Sequence, residues 1–179
     1  MGYSDTFASI LATDTGKDLI KLTPFINRYD NITLIEGIPG GGKSSAVLKL
    51  TSDFLKKHYP DSLQNAWVVN TNEDTAKKLR GNLGLSEGEN LDRKTLLTKI
   101  SNWTEPKIDN NGNITLDDKH SRLKKTLDIS SVFNIKDIPN VPKVIFIDEV
   151  SRFTTDELDL IDNFAKKNGI SVIAAGDFN

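Results

Sequence analysis

The run Gly37-Ile38-Pro39-Gly40-Gly41-Gly42-Lys43-Ser44 combines the residue types that hold a phosphate chain. Glycines let the backbone turn its N–H groups inward, making a nest that coordinates anionic oxygens. A helix beginning near Lys43 adds the positive end of its dipole to that nest. Lys43 is placed to bridge a β- and a γ-phosphate, and the Ser44 hydroxyl to ligate Mg²⁺. Gly37, Pro39, Gly40, Gly41, Gly42, Lys43, Ser44 and Ser45 are therefore the candidate nucleotide-binding residues. The pattern Gly-x4-Gly-Lys-Ser is complete, and its chemistry needs a strand before it and a helix after it.

A second constellation lies far downstream. In Val144-Ile145-Phe146-Ile147-Asp148-Glu149 an apolar run delivers two carboxylates at its end. Ligands of open α/β sheets sit at the carboxyl edge of the strands. There Asp148 can hold the Mg²⁺, and Glu149 can orient and deprotonate an attacking water. The plainer alternative has Asp148 capping the next helix and Glu149 on the solvated surface. With a phosphate loop upstream, the catalytic set becomes Lys43, Asp148 and Glu149. A glutamate beside the aspartate favours attack by water over transfer to a small acceptor, hence an ATPase over a kinase.

These groups need elements to carry them. Residues 31–36 (N-I-T-L-I-E) read as a β-branched strand directly before the glycine loop. Residues 44–58 repeat apolar positions at helical spacing, and Tyr59-Pro60-Asp61 ends that helix. Residues 66–69 predict a second buried strand, 73–80 a short helix, and 91–103 another helix with Leu96, Leu97 and Ile100 on one face. Residues 143–147 form a continuous apolar strand. Residues 155–168 predict a helix with Leu158, Leu160, Ile161, Phe164 and Ala165 inward and Gly169 as its cap. Residues 170–175 are the last strand. Strands apolar along their length and alternating with helices imply a mostly parallel sheet covered on both faces. Residues 1–30 suggest one or two short helices broken at Pro24, and the end directly after a strand suggests a piece of a longer protein.

Composition sets outer limits. Lysine and arginine number 23 against 25 acids, a formal charge of -2, so any nucleic-acid contact must come from a local patch. With no cysteine there is no disulfide framework or zinc-thiolate site, which suits a reducing cytosol. No apolar run approaches the roughly 18 residues of a membrane span, and residues 1–15 lack the pattern of a signal peptide. A cytoplasmic protein of one domain, 1–179, is expected.

With its motifs placed, the chain resembles the N-terminal RecA-like domain of a superfamily 1 helicase. Gly37 to Ser44 resembles helicase motif I, in a form similar to that of viral and phage members. Asp148-Glu149 resembles motif II. The run from Val68 through Asn70, Thr71, Asn72 and Ala76 to Leu79 is similar to motif Ia. Ala174-Ala175-Gly176-Asp177-Phe178-Asn179 resembles the start of motif III, which adds Asp177 to the nucleotide-binding candidates. The resemblance implies a RecA-like three-layer α/β/α fold and Mg²⁺-dependent ATP hydrolysis. It also implies single-stranded DNA or RNA as a partner, contacted at Thr71 and Asn72 with Lys77 nearby. A second RecA-like domain would complete the cleft. No upstream glutamine of the kind that reads adenine is present, so ATP is implied by the family alone.

Residues 101–142 fall where these helicases insert a small extra domain. Asn111-Gly112 sits between short runs that can pair as a hairpin. Residues 107–118 have a superficial likeness to a calcium loop, but lysine stands at its first position and a short aspartate at its twelfth, which favours the hairpin. Arg122-Leu123-Lys124-Lys125 concentrates charge, and Trp103 either stacks on a base or belongs to the core. His58 and His120 read as surface residues. Two other readings stay open: an AAA+-type remodeller or loader with Asn179 as its γ-phosphate sensor, and a nucleotide-dependent switch without turnover.

Overall fold

A computed structural model describes residues 25–26, 29–36, 43–105, 107–112, 114–115 and 133–176. In chain order the elements are β1 (Phe25–Ile26), β2 (Ile32–Glu36), α1 (Lys43–His58) and β3 (Trp67–Val69). Next come α2 (Glu73–Asn82), β4 (Asn90–Leu91), α3 (Arg93–Ile100), β5 (Lys107–Ile108) and β6 (Ile114–Thr115). The last three are β7 (Val144–Ile147), α4 (Thr155–Asn168) and β8 (Ser171–Gly176).

Six strands hydrogen-bond in the order β1-β2-β8-β7-β3-β4. Every pairing from β2 to β4 is parallel, and β1 joins the edge antiparallel to β2. Because side chains alternate along a strand, each strand feeds two cores. On one face Trp67, Val69, Ile145, Ile147, Val172 and Ala174 meet α3 and α4 through Leu96, Leu97, Ile161 and Phe164. On the other, Ile35, Val68, Val144, Phe146, Ile173 and Ala175 meet α1 and α2 through Val47, Leu48, Ala76 and Leu79. The result is the three-layer α/β/α arrangement of a RecA-like P-loop fold, with its mostly parallel sheet.

Several elements differ from the sequence expectation. Residues 91–103 are not one helix: Leu91 belongs to β4, α3 spans Arg93–Ile100, and Trp103 lies beyond it. Asp92 sets that start, its carboxylate accepting the Thr95 N–H at 2.7 Å as an N-cap. Trp103 is 7% exposed within the α3/α4 core, which rules out base stacking in this conformation. The hairpin around Asn111-Gly112 is present: Lys107 pairs with Thr115 and Ile108 with Ile114, while Gly112 supplies a φ of +80°. His58 is exposed, its ring 4.4 Å from that of Phe54. Residues 1–24, His120 and Arg122 to Lys125 lie outside the described residues.

Candidate functional site

Lys43, Ser44 and Ser45 open α1 immediately after the glycine loop, so the motif has the strand and helix that its chemistry requires. Gly37, Pro39, Gly40, Gly41, Gly42 and Asp177 lie outside the described residues. What the sheet does fix is the distance between the strands that lead into the two motifs. Glu36, the last residue of β2, pairs with Gly176, and Ile147 pairs with Ala174. One strand, β8, therefore separates β2 from β7. With strands ~4.8 Å apart, the end of β2 at Glu36 and the end of β7 at Ile147 stand about 10 Å apart at the same sheet edge. That span accommodates a triphosphate tail, a cation and a water.

Residues 21–179 match the family model of the AAA domain. The chain belongs to this family of P-loop nucleoside triphosphatases. No curated protein matches the sequence. Proteins of this P-loop class bind a nucleoside triphosphate together with Mg²⁺.

In this AAA domain the acidic pair is held by its own turn. The Asp148 N–H donates to the Val69 carbonyl at 2.9 Å, which prolongs the β3–β7 pairing past the strand end. The Asp148 carboxylate, half-buried, accepts the Glu149 N–H through Oδ1 at 2.9 Å. Glu149 takes a left-handed backbone (φ 57°, ψ 44°) and is exposed. A short 3₁₀ turn, Val150–Arg152, follows with Val150 fully buried. Helix α4 is capped by Thr154, whose hydroxyl accepts the Glu157 N–H, so Asp148 is not a helix cap.

Two carboxylates at the carboxyl edge are the hard oxygen donors that Mg²⁺ takes. Among the described residues no group of three His, Cys, Asp or Glu could hold a metal by itself. The donor set fits a cation shared with a hydroxyl and with phosphate oxygens, as Ser44 and a nucleotide would supply.

On the side of Asp148 and Glu149 away from β2, the AAA domain has a cleft of about 380 Å³. The ends of β3, β4 and β7 build it from Asn70, Thr71, Asp92, Arg93, Lys94, Arg152 and the acidic pair. Thr71 is exposed there, its N–H donating to Asn70 Oδ1 at 2.8 Å. Asn72 is instead the N-cap of α2, its side chain accepting the Thr75 N–H at 2.8 Å. The structure thus separates two residues that the sequence treated alike. Lys77 is exposed but does not line the cleft.

Arg93, Lys94 and Arg152 were not singled out by sequence. Arg93 grips Glu157 with two donors, Nε at 3.0 Å and Nη2 at 2.6 Å, and lies 5.3 Å over the Trp103 ring. Glu157 is 4% exposed, and its hydrogen bond holds the Arg93 guanidinium above its usual pKa. Lys94 pairs with Glu105. Arg152 is exposed and makes no ion pair among the described residues. Its place three residues after Glu149 was the available signal; Arg93 and Lys94, at the start of α3, were hidden because β4, which brings that helix start to the sheet edge, is two residues long. Among the described residues no helix is long and apolar enough to cross a membrane.

Proposed function

We propose that this chain is the ATP-hydrolysing motor domain of a superfamily 1 helicase, of the type found in viruses and phages. The observation that carries the reading is the position of Asp148 and Glu149 between two sites. On one side β8 separates them from the phosphate-loop strand, and on the other they wall a cleft holding Thr71, Arg93, Lys94 and Arg152. A motor needs such a shared wall, since nucleotide turnover must alter the grip on a track.

In this reading the backbone N–H groups of the loop glycines and Lys43 hold the triphosphate, and Ser44 and Asp148 would hold Mg²⁺. When bound, the cation would neutralise charge on the phosphate oxygens. Glu149 removes a proton from water as the water oxygen bonds to the γ-phosphorus. The bond from the γ-phosphorus to the β–γ bridging oxygen breaks, and its electron pair leaves with ADP. Thr71 and the cationic side chains of the cleft contact the backbone of a single strand, because hydroxyls, lysine and arginine are the usual partners of phosphodiesters. A second RecA-like domain supplies the other wall of the nucleotide site.

Lys43→Ala should abolish ATP affinity measured by calorimetry; unchanged binding removes the phosphate-loop assignment. Glu149→Gln in the full-length protein should keep binding and lose roughly 10²–10⁴-fold in turnover. The match to the AAA-domain model also supports a second reading, an AAA+-type remodeller or nucleotide switch. Phosphate release stimulated by single-stranded DNA or RNA favours the motor; release indifferent to both favours the alternative.

A further inference from the structure

Strand β8 ends on Gly176 at a φ of +156°, a conformation that side-chain-bearing residues rarely adopt. A Cβ there would lie 3.0 Å from the Val150 backbone nitrogen, and 3.4 Å from both the Glu149 Cα and Val150 Cγ1. The three nearest atoms thus all belong to the turn that presents Glu149. That turn is itself strained. A left-handed backbone at a non-glycine residue is strained and persists only where its surroundings enforce it.

Two of the restraints on Glu149 are local to the turn: Asp148 Oδ1 accepts its N–H, and its carbonyl accepts the Arg152 N–H at 3.1 Å. Such bonds shape the turn but do not set its distance from the nucleotide. The contact with Gly176 does, because Gly176 is the register partner of Glu36, the residue that leads into the phosphate loop.

We infer that Gly176 is a positioning residue for hydrolysis. Its missing side chain lets the Glu149–Val150 turn seat against the end of β8, and this seating fixes the reach of the Glu149 carboxylate toward the γ-phosphate. The inference rests on the reading of Glu149 as the base. A methyl at Gly176 displaces the turn by a few tenths of an ångström and strains its own backbone. The displacement grows along the glutamate side chain, and a misplacement of about 1 Å can lower a rate ~10²-fold.

The test is Gly176→Ala in the full-length protein, with mant-ATP affinity read by fluorescence and hydrolysis read in single turnovers. Turnover should fall about 10–100-fold while affinity stays within about threefold. Gly169→Ala is the control for mere destabilisation: Gly169 has a φ of +66° but nothing within 4 Å of an added Cβ, so it should lower the melting temperature and leave turnover alone. Turnover within twofold of wild type in Gly176→Ala overturns the inference. So does a parallel loss of affinity and turnover, or an equal loss of turnover in Gly169→Ala.

If Gly176→Ala does not fold, the double variant Gly176→Ala/Val150→Ala relieves the crowding at Val150 Cγ1 but keeps the added methyl against the Val150 nitrogen and the Glu149 Cα; it should show the same split, and turnover within twofold of wild type there overturns the inference. Glu149→Gln separates the two levels. If that variant hydrolyses at the wild-type rate, the base assignment itself has failed. If it is inactive while Gly176→Ala is fully active, only the positioning role has failed.

Discussion

Arg93 and Glu157 show how one charged pair can serve both the fold and the site. Glu157 is buried, so removing its partner leaves a carboxylate that water reaches poorly. Arg93→Ala should therefore cost about 2–3 kcal/mol in urea unfolding, below the range for a fully buried pair because Arg93 keeps some exposure. Arg93→Lys should recover less than half of it, since one ammonium cannot match two parallel N–H donors. Full recovery with lysine would mean that the geometry of the fork is irrelevant. Thr71 and Asn72 divide in the same way. Asn72→Ala removes a helix cap and should cost about 1 kcal/mol, whereas Thr71→Ala should leave stability within about 0.5 kcal/mol. In the motor reading, Thr71→Ala is the variant that weakens single-strand affinity, and an equal loss from Asn72→Ala at native stability would refute the division.

Among the elements, α4 was the most legible in the sequence and β4 the least. Both ends of α4 are written locally: Thr154 with Glu157 forms a capping box, and Gly169 takes the left-handed residue that closes the helix. Neither signal depends on the rest of the chain. The two residues of β4 form a strand only because β3 offers them hydrogen bonds, so nothing in Asn90-Leu91 announces it, and the helix expected over 91–103 absorbed it. The acidic pair was readable as chemistry only beside the upstream phosphate loop, since acids after apolar strands are common. Its left-handed turn was not, because no local preference puts a glutamate there and the contact with Gly176 arises only once β8 is inserted beside β7. Thr154→Ala should cost about 1 kcal/mol in urea unfolding and Thr154→Ser much less, because serine keeps the accepting hydroxyl.

For the whole molecule, the consequence of a sheet covered on both faces is that stability comes from two cores sharing only backbone. Ile161 of α4 packs in the core on one face, Leu48 of α1 in the core on the other, and both are fully buried. Ile161→Val should cost about 1 kcal/mol and Leu48→Ala about 3 kcal/mol, from lost burial and the cavity left behind. Side chains on opposite faces have no common contact to relax, so the double variant should unfold with the sum of the two, within about 0.5 kcal/mol. A coupling much larger than that would mean that the sheet bends to accommodate a cavity. Such a bend would matter to the site, because the β2–β8–β7 edge sets the separation of Glu36, which leads into the phosphate loop, from the turn that carries Glu149. Rigid additivity is the expected result. It is also the mechanical condition for the role proposed for Gly176 in placing Glu149.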